Sequence, residues 1–186
     1  GECDYSQHGA NRLGANSLLS AVYSGMVAGP NAVKYVKGLA KSVDDIKEEV
    51  FTNALKEQQE KWDSILSMNG TENAYKLHEE LGDIMTANVT VVRYNDKLLE
   101  TDAKIVELIE RFKNISISDT SSWSNQGAFF IRQLENMLHL ARAITIGAYN
   151  RNESRGAHYK PDFPERDDEN FLKTTMAKFD PATGEP

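Results

Sequence analysis

The feature that most constrains the fold is a helical hydrophobic periodicity, which extends from about residue 31 to residue 152. Apolar side chains recur there every three or four residues, and polar turns such as Asn69-Gly70 interrupt the pattern. The most regular stripe consists of Phe130, Leu134, Met137, Ala141, Ile144 and Ala148. Long helices that are joined by short polar turns are typical of antiparallel bundles. We therefore expect a mainly α fold that is built around an antiparallel helical bundle.

The first 30 residues differ in composition from this central region, because Gly, Asn, Ser and small apolar residues replace charged ones. The pattern predicts a ligand-binding loop that continues into a helix, with Asn16 or Ser17 as the N-cap. Gly29-Pro30 is expected to end that helix. Its apolar side chains recur at helical spacing, so we expect the helix to be mostly buried.

The last segment combines charges, prolines and aromatic residues from Glu153 to Asp168. These residues predict an ordered loop, which could be either a functional site or a salt-bridged strap that packs the bundle against a neighbouring domain. The alternation from Phe171 to Phe179 predicts a β-strand, and the next residues, Asp180 to Gly184, have the composition of a turn. The second strand of such a hairpin is missing, so we expect the chain to be an excised piece.

The composition excludes several classes of protein. The chain has 28 Asp and Glu against 21 Lys and Arg, a net charge of -7, so we exclude nucleic acid as its main partner. Cys3 is the single cysteine, and the histidines lack the spacing of metal ligands, so neither a disulfide nor a metal site is predicted. No stretch approaches the roughly 20 apolar residues that cross a bilayer, so any membrane contact is expected to be indirect.

The strongest indication of chemistry lies at Arg12, between Gly9 and Gly14 and just before the first helix. A guanidinium group can pair with a carboxylate through two hydrogen bonds. A helix N-terminus also favours negative charge. One interpretation is therefore a site for a small anion. The alternative is that Arg12 pairs with an internal Asp or Glu and that the glycines only shape a turn.

Several short sequence motifs at the two ends of the chain resemble those of the flavoprotein subunit of succinate dehydrogenase and fumarate reductase. They are Gly1-Glu2, His8-Gly-Ala-Asn-Arg-Leu-Gly-Ala-Asn-Ser-Leu-Leu19, Glu153-Ser-Arg-Gly-Ala-His158, Asp162-Phe-Pro-Glu-Arg-Asp-Asp-Glu-Asn170 and Leu172-Lys-Thr-Thr175. The resemblance covers the whole chain and implies the C-terminal portion of that subunit. It implies three parts: residues 1–30 end an FAD-binding domain, residues 31–152 form the helical bundle, and residues 153–186 form a loop and a truncated strand.

The same resemblance implies roles for individual residues. Arg12 would bind a carboxylate of the dicarboxylate substrate, Glu2 would hold the FAD ribose, and Ser17 and Leu18 would meet the flavin ring through their backbone. The implied reaction oxidises succinate to fumarate by hydride transfer to FAD. No catalytic residue is expected in this segment, because the resemblance places the proton-transferring arginine and the flavin-linking histidine upstream. The isolated chain is therefore expected to be inactive and to bind FAD weakly or not at all.

The resemblance also implies partners and a location. Electrons would pass to an iron-sulfur subunit and then to quinone, and separate anchor subunits would hold the complex at a membrane. The location would be the cytoplasmic face of a bacterial membrane or the matrix face of a mitochondrial one. Fumarate reductase, L-aspartate oxidase and a free-standing helical adaptor that binds no cofactor remain as alternatives.

Overall fold

The structure is a computed structural model that describes residues 6–180 and 182–183. Six α-helices account for most of these described residues. They are α1 (Asn16–Lys37), α2 (Glu48–Leu66), α3 (Ala74–Asn88), α4 (Asn95–Phe112), α5 (Gln126–Asn150) and the short α6 (Asp168–Phe171). Two single turns of 3-10 helix, Ser6–His8 and Val43–Asp45, precede α1 and α2. No β-sheet forms within the described ranges, where β-type pairing is limited to isolated bridges, so the predicted helical class is confirmed.

The chain divides into two units, residues 1–57 and 58–186, and the division falls within α2. In the second unit, α4 packs against both α3 and α5. The start of α4 lies near the end of α5, where Lys160 bridges Asn95 and Tyr149, and farther along α4 Asp102 pairs with Arg142 of α5. Helices α4 and α5 are therefore antiparallel, as the short polar connections predict.

The core of this second unit is formed by aliphatic side chains that recur at helical spacing. The fully buried members include Leu77, Ile105, Leu108, Ile115, Leu134 and Leu138. The predicted stripe on α5 is only partly correct, because Ile144 is 52% exposed while Thr145 is fully buried. Thr145 can be buried because its hydroxyl donates to the carbonyl of Ala141 at 2.8 Å. The buried face of α5 therefore passes through Ile131, Leu138 and Thr145 rather than through Ile144.

Helix α1 differs from its prediction in two respects. It does not end at Gly29-Pro30 but continues through Pro30 to Lys37. A proline inside a helix leaves the carbonyl four residues earlier without its N–H donor. Next to that position, the side chain of Asn31 donates to the carbonyl of Val27 at 2.8 Å, which supports the backbone at this turn. The expectation that the helix is mostly buried is also wrong, because none of its residues is buried.

The predicted strand from Phe171 to Phe179 is absent. Phe171 ends α6, and residues 172–180, here called the tail, follow an extended path along α5. A methyl group of Thr175 lies 3.6 Å from the position that a Cβ on Gly147 would occupy, and Phe179 stacks edge-on against His139 at 5.0 Å. The alternation in this segment therefore reflects side chains that contact a helix rather than a neighbouring strand.

Two loops of the second unit are joined where Gly70 meets Asn114. Gly70 N–H donates to Ile115 O at 3.0 Å, Glu72 N–H donates to Asn114 O at 2.9 Å, and Ser116 N–H donates to Glu72 O at 2.9 Å. These bonds connect the α2–α3 loop to the loop that follows α4. None of the helices in the described part of the chain is long and apolar enough to cross a membrane.

Candidate functional site

The loop before α1 is held to the helix by two side-chain contacts one turn apart. His8 Nε2 lies 3.1 Å from Ser20 Oγ, and Gln7 donates to Ser24 Oγ at 3.4 Å. The Ser20 hydroxyl donates to the carbonyls of Asn16 and Ser17, so the N–H of His8 Nε2 donates to Ser20. His8 therefore has a structural role in anchoring the loop.

The start of α1 carries no side-chain cap, contrary to the expectation for Asn16 or Ser17. The N-cap is Ala15, which adopts the left-handed conformation with a φ of 63°. Gly9 also has a positive φ, of 60°, whereas Gly14 does not. The first-turn N–H groups of an α-helix have no intrahelical acceptor, and here those of Ser17 and Leu18 lie at a start whose N-cap side chain makes no capping bond. Such a helix start can stabilise negative charge on a bound group.

Arg12 lies in the loop just before this helix start, and its side chain is exposed. Within residues 6–180, no carboxylate forms an ion pair with Arg12, so the alternative of an internal Asp or Glu partner does not hold for that part of the chain. Glu2, which the family resemblance assigns to the FAD ribose, lies outside the described residues, as does Cys3.

A groove of about 380 Å³ opens between this loop and the first two turns of α1. Its walls are formed by Gln7, His8, Asn11, Leu13, Asn16, Leu19, Ser20 and Tyr23. Arg12, Ser17 and Leu18 do not line the groove, and the side chain of Leu18 is 78% exposed. Arg12, Ser17 and Leu18 are therefore close together in the sequence, but the structure does not bring their side chains into this groove.

The second candidate region is the segment from Glu153 to Asp168, here called the strap. Its central group is Glu153, whose side chain is fully buried and accepts two hydrogen bonds of 2.8 Å from Arg155. Arg151 and the backbone N–H of Asp167 complete its partners. The bonds from Arg155, followed by those from Asp167 and Arg151, lower the pKa of Glu153 to about 2. Within the strap, Arg155 therefore pairs with both Glu153 and Asp168, and Arg166 pairs with Asp168.

Lys160 is a fully buried amine at the centre of the strap. Its Nζ donates to Asn95 Oδ1 at 2.6 Å, to Tyr149 O at 2.9 Å and to Asn152 Oδ1 at 3.1 Å. All three acceptors are neutral, so no carboxylate contacts the amine directly. Burial, followed by the charge of Arg93, lowers the pKa of Lys160 to about 8.

His158 connects the strap to the loop between α3 and α4. Its Nδ1 lies 2.6 Å from Arg93 Nη1, and its Nε2 lies 2.8 Å from the carbonyl oxygen of Arg151. Arg93 N–H also donates to Tyr159 O at 3.0 Å. Hydrophobic periodicity could not reveal the contact between Arg93 and His158, because these residues are 65 positions apart. The sequence signal for this region was the density of charge in the strap.

No group of three or more His, Cys, Asp and Glu side chains is placed to hold a metal ion among the residues with described positions.

Comparison with known proteins gives consistent matches. A family model described as "Fumarate reductase flavoprotein C-term" matches residues 78–186. The succinate dehydrogenase flavoprotein subunit of Bacillus subtilis is 71% identical over 178 residues, which are 96% of this chain and 30% of that protein. The fumarate reductase flavoprotein subunit of Proteus vulgaris is 36% identical over 188 residues, which are 97% of this chain and 30% of that protein. The chain thus spans less than a third of the length of these relatives.

Two solved structures also superpose on this chain. A quinol fumarate reductase of Escherichia coli superposes with a TM-score of 0.81 at 34% identity, covering 89% of this chain and 28% of that one. The Sdh1 complex of Mycobacterium smegmatis in its apo form superposes with a TM-score of 0.75 at 31% identity, covering 90% and 27%.

Proposed function

Because the chain belongs to the family of fumarate reductase flavoprotein C-terminal regions, we propose that it forms part of the flavoprotein subunit of a succinate dehydrogenase. The 71% identity to the Bacillus subtilis subunit favours succinate oxidation over fumarate reduction, since the Proteus vulgaris fumarate reductase is 36% identical. Fumarate reductase is the alternative. Residues 1–30 would end the FAD-binding domain, residues 31–152 would form the helical bundle, and residues 153–186 would form the loop beside it.

The observation that carries this proposal is the position of Arg12, which has no carboxylate partner among the described residues and lies just before a helix start without a side-chain cap. A guanidinium group that has no internal carboxylate partner can bind one carboxylate of a dicarboxylate through two parallel hydrogen bonds. Binding at that end would orient the substrate for reaction. Arg12 is therefore the substrate-binding residue in the proposal.

The cofactor in the proposal is FAD, which when bound would supply the two-electron chemistry that the protein's side chains lack. The residues present fit such a group, because the backbone N–H groups of Ser17 and Leu18 lie at a helix start that no side chain caps. These donors would stabilise negative charge on the ring system of the cofactor. Glu2 is proposed to bind the ribose hydroxyls.

Exposed apolar side chains along α1 support a larger assembly. Leu19, Val22, Tyr23, Met26 and Val36 are each more than half exposed. Exposed apolar surface of this extent is typical of an interface. We propose that α1 packs against the FAD-binding part of the complete flavoprotein. In the relatives, the complete flavoprotein is about three times as long as this chain. The isolated chain is then expected to be inactive and to carry no stoichiometric FAD.

The proposed partners are an iron-sulfur subunit, which would receive electrons, and membrane anchor subunits that position the complex for quinone. The structural relatives support a multi-subunit assembly, since one is a quinol fumarate reductase and another is an Sdh1 complex. The proposed location is peripheral, on the cytoplasmic face of a bacterial membrane or the matrix face of a mitochondrial one.

A chimera tests the role of Arg12. The matching segment of the Bacillus subtilis flavoprotein is replaced by this chain, and succinate-dependent reduction of an artificial electron acceptor is measured in the assembled complex. Arg12→Gln should lower kcat/KM for succinate at least about 100-fold, since losing one partner of a desolvated charge pair costs about 3 kcal/mol. The FAD content of the variant should be unchanged.

Arg132→Gln is the matched control, because Arg132 lies on α5 and contacts Gln58 instead of the α1 loop. This variant should retain the activity of the unmodified chimera. An Arg12→Gln chimera whose kcat/KM is within threefold of the control would contradict the proposed substrate role. A folded, FAD-containing chimera that does not oxidise succinate would contradict the proposed activity itself.

A further inference from the structure

We propose that His158 is an acid-sensitive latch, whose protonation releases the strap from the loop between α3 and α4. The latch consists of the two ring nitrogens of His158 and their partners, Arg93 on one side and the carbonyl of Arg151 on the other. The latch is independent of the proposed enzymatic function, because it involves neither Arg12 nor the start of α1.

The two partners of His158 require one protonation state of the ring. The guanidinium group of Arg93 can only donate, so Nδ1 of His158 must be an unprotonated acceptor. The carbonyl oxygen of Arg151 can only accept, so Nε2 must carry the hydrogen. His158 is therefore neutral in the closed latch, as the Nε2–H tautomer. A second proton would place an N–H group of the ring against an N–H group of Arg93.

The surroundings oppose that second proton. Arg93 faces the ring from the α3–α4 loop, Arg151 faces it from the end of α5, and Lys160 lies two residues along the strap. Glu153, the buried carboxylate of the strap, is paired with Arg151 and with Arg155. Burial is the main cause that lowers the pKa of His158, and the three cations add to it, while the hydrogen bond to the carbonyl of Arg151 opposes the shift without reversing it.

The other strap groups with shifted pKa values keep their charge in mildly acidic solution. The pKa of Glu153 is about 2, and that of Asp168 is lowered by its bonds to Arg155 and Arg166. Lys160, with a pKa of about 8, is already protonated below pH 7. Acidification from pH 7 to pH 5 therefore acts on the latch through His158.

The direction of the pH effect follows from the two states of His158. The unfolded ring has a pKa of 6.5 and the latched ring a lower one, so the released state binds the proton more readily. The closed latch is fully favoured above pH 6.5. Below that pH the ratio of closed to open latch falls by up to about tenfold per pH unit, until the lowered pKa is reached.

The first experiment observes the ring directly in the full 186-residue chain. Long-range ¹H–¹⁵N NMR spectra distinguish the two neutral tautomers and report the pKa of each histidine. His158 should be the Nε2–H tautomer at pH 7.5 and should titrate below pH 6.5. An Nδ1–H tautomer, or a pKa at or above 6.5, would overturn the proposal, and this measurement needs no variant.

The second experiment follows amide hydrogen exchange at the strap, with rates corrected for the intrinsic effect of pH. The reporters are Arg93 N–H, which donates to Tyr159 O, and Lys160 N–H, which donates to Ser154 Oγ at 2.9 Å. In the unmodified chain their protection should fall at least threefold from pH 7.5 to pH 5.0. Protection of Leu134 and Leu138, in the core of α5, should remain unchanged.

His158→Gln separates protonation from the loss of a side chain, because glutamine offers a neutral acceptor and a donor but cannot gain a proton. Its strap protection should no longer depend on pH. His78→Gln, at an exposed position on α3, is the matched control and should keep the acid response. If acid lowered the protection of the strap amides equally in His158→Gln and in the unmodified chain, the proposed latch would be wrong.

Discussion

Substitution of Gly70 by alanine should strongly destabilise the helical bundle, although it adds only one methyl group. Gly70 lies where the α2–α3 loop meets the loop after α4. A Cβ at this position would be 2.0 Å from the carbonyl oxygen and 2.4 Å from the carbonyl carbon of Asn114. Both contacts involve backbone atoms, so no side-chain rotation can relieve them. The two loops must therefore separate by roughly 1 Å, which is enough to break hydrogen bonds between them.

The expected cost can be worked out from the bonds that cross this contact. Three backbone hydrogen bonds of 2.9–3.0 Å connect the loops, through Gly70, Glu72 and Ser116. Each contributes about 1 kcal/mol, and Ile115, which lies between them, is fully buried in the core. Loss of two or three of these bonds, with some loosening of Ile115, should lower the free energy of unfolding by about 2 to 4 kcal/mol.

The assay is urea-induced unfolding, followed by far-UV circular dichroism, of the Gly70→Ala variant and of a matched control. The control is Gly82→Ala, because Gly82 lies in the interior of α3 and an added Cβ there meets no atom within 4 Å apart from the adjacent backbone of its own helix. That variant should gain about 0.5 to 1 kcal/mol, since alanine is the better helix former. A Gly70→Ala variant within about 0.5 kcal/mol of the unmodified chain would refute the reasoning about the loop contact.

Three further predictions concern buried polar groups. Glu153→Gln should lower the free energy of unfolding by about 2 to 3 kcal/mol at pH 7, because two guanidinium groups lose their carboxylate partner. In urea titrations this difference should shrink as the pH falls from 4.5 toward 2, because Glu153 gains its proton in the unfolded state first and in the folded state only near pH 2. Lys160 releases its proton more readily in the folded chain than in the unfolded one. The free energy of unfolding of the unmodified chain, relative to that of a Lys160→Met variant, should therefore rise with pH between about 8 and 10.5. A difference between the two chains that does not change with pH would contradict the lowered pKa. Asn125→Ala should lower the thermal unfolding midpoint more than Asn73→Ala, because the buried Asn125 caps α5 and also donates to two loop carbonyls.

The helical bundle could be predicted because its determinants are local. A three- to four-residue period marks the face of a helix that is turned to the core, and Leu77, Leu81 and Leu134 are buried as that period requires. The error at Ile144 has a physical reason. Thr145 satisfies its hydroxyl within its own helix, so a polar residue can occupy a core position that a pattern of apolar residues would not assign to it.

The burial of α1 and the strand at Phe171–Phe179 could not be predicted in the same way. Whether an apolar side chain is buried depends on what lies opposite, and nothing within the described chain buries α1. Alternation indicates that every second side chain contacts a neighbouring element. It does not show whether that element is a β-sheet or a helix such as α5.

The candidate site was only partly accessible from the sequence. The glycine-flanked Arg12 could be recognised from the sequence as a possible ligand contact, and its role in binding a ligand stays a prediction. The open helix start was not foreseen, because Ala15 occupies the left-handed position where a glycine would be expected. The ion pairs of the strap were one of two alternatives, whereas its packing against a flavin domain stays a prediction.

The long sequence separation between the strap and its anchors has a consequence for the order of folding. Arg93 and His158, like Asn95 and Lys160, are 65 residues apart, whereas α3 and α4 are joined by six residues. Closing a long loop costs more chain entropy than forming a helical hairpin, and that cost falls once α4 and α5 are already paired. We therefore expect the strap to order last during folding and to open first during unfolding. A nascent chain would acquire its helical core before these final contacts form.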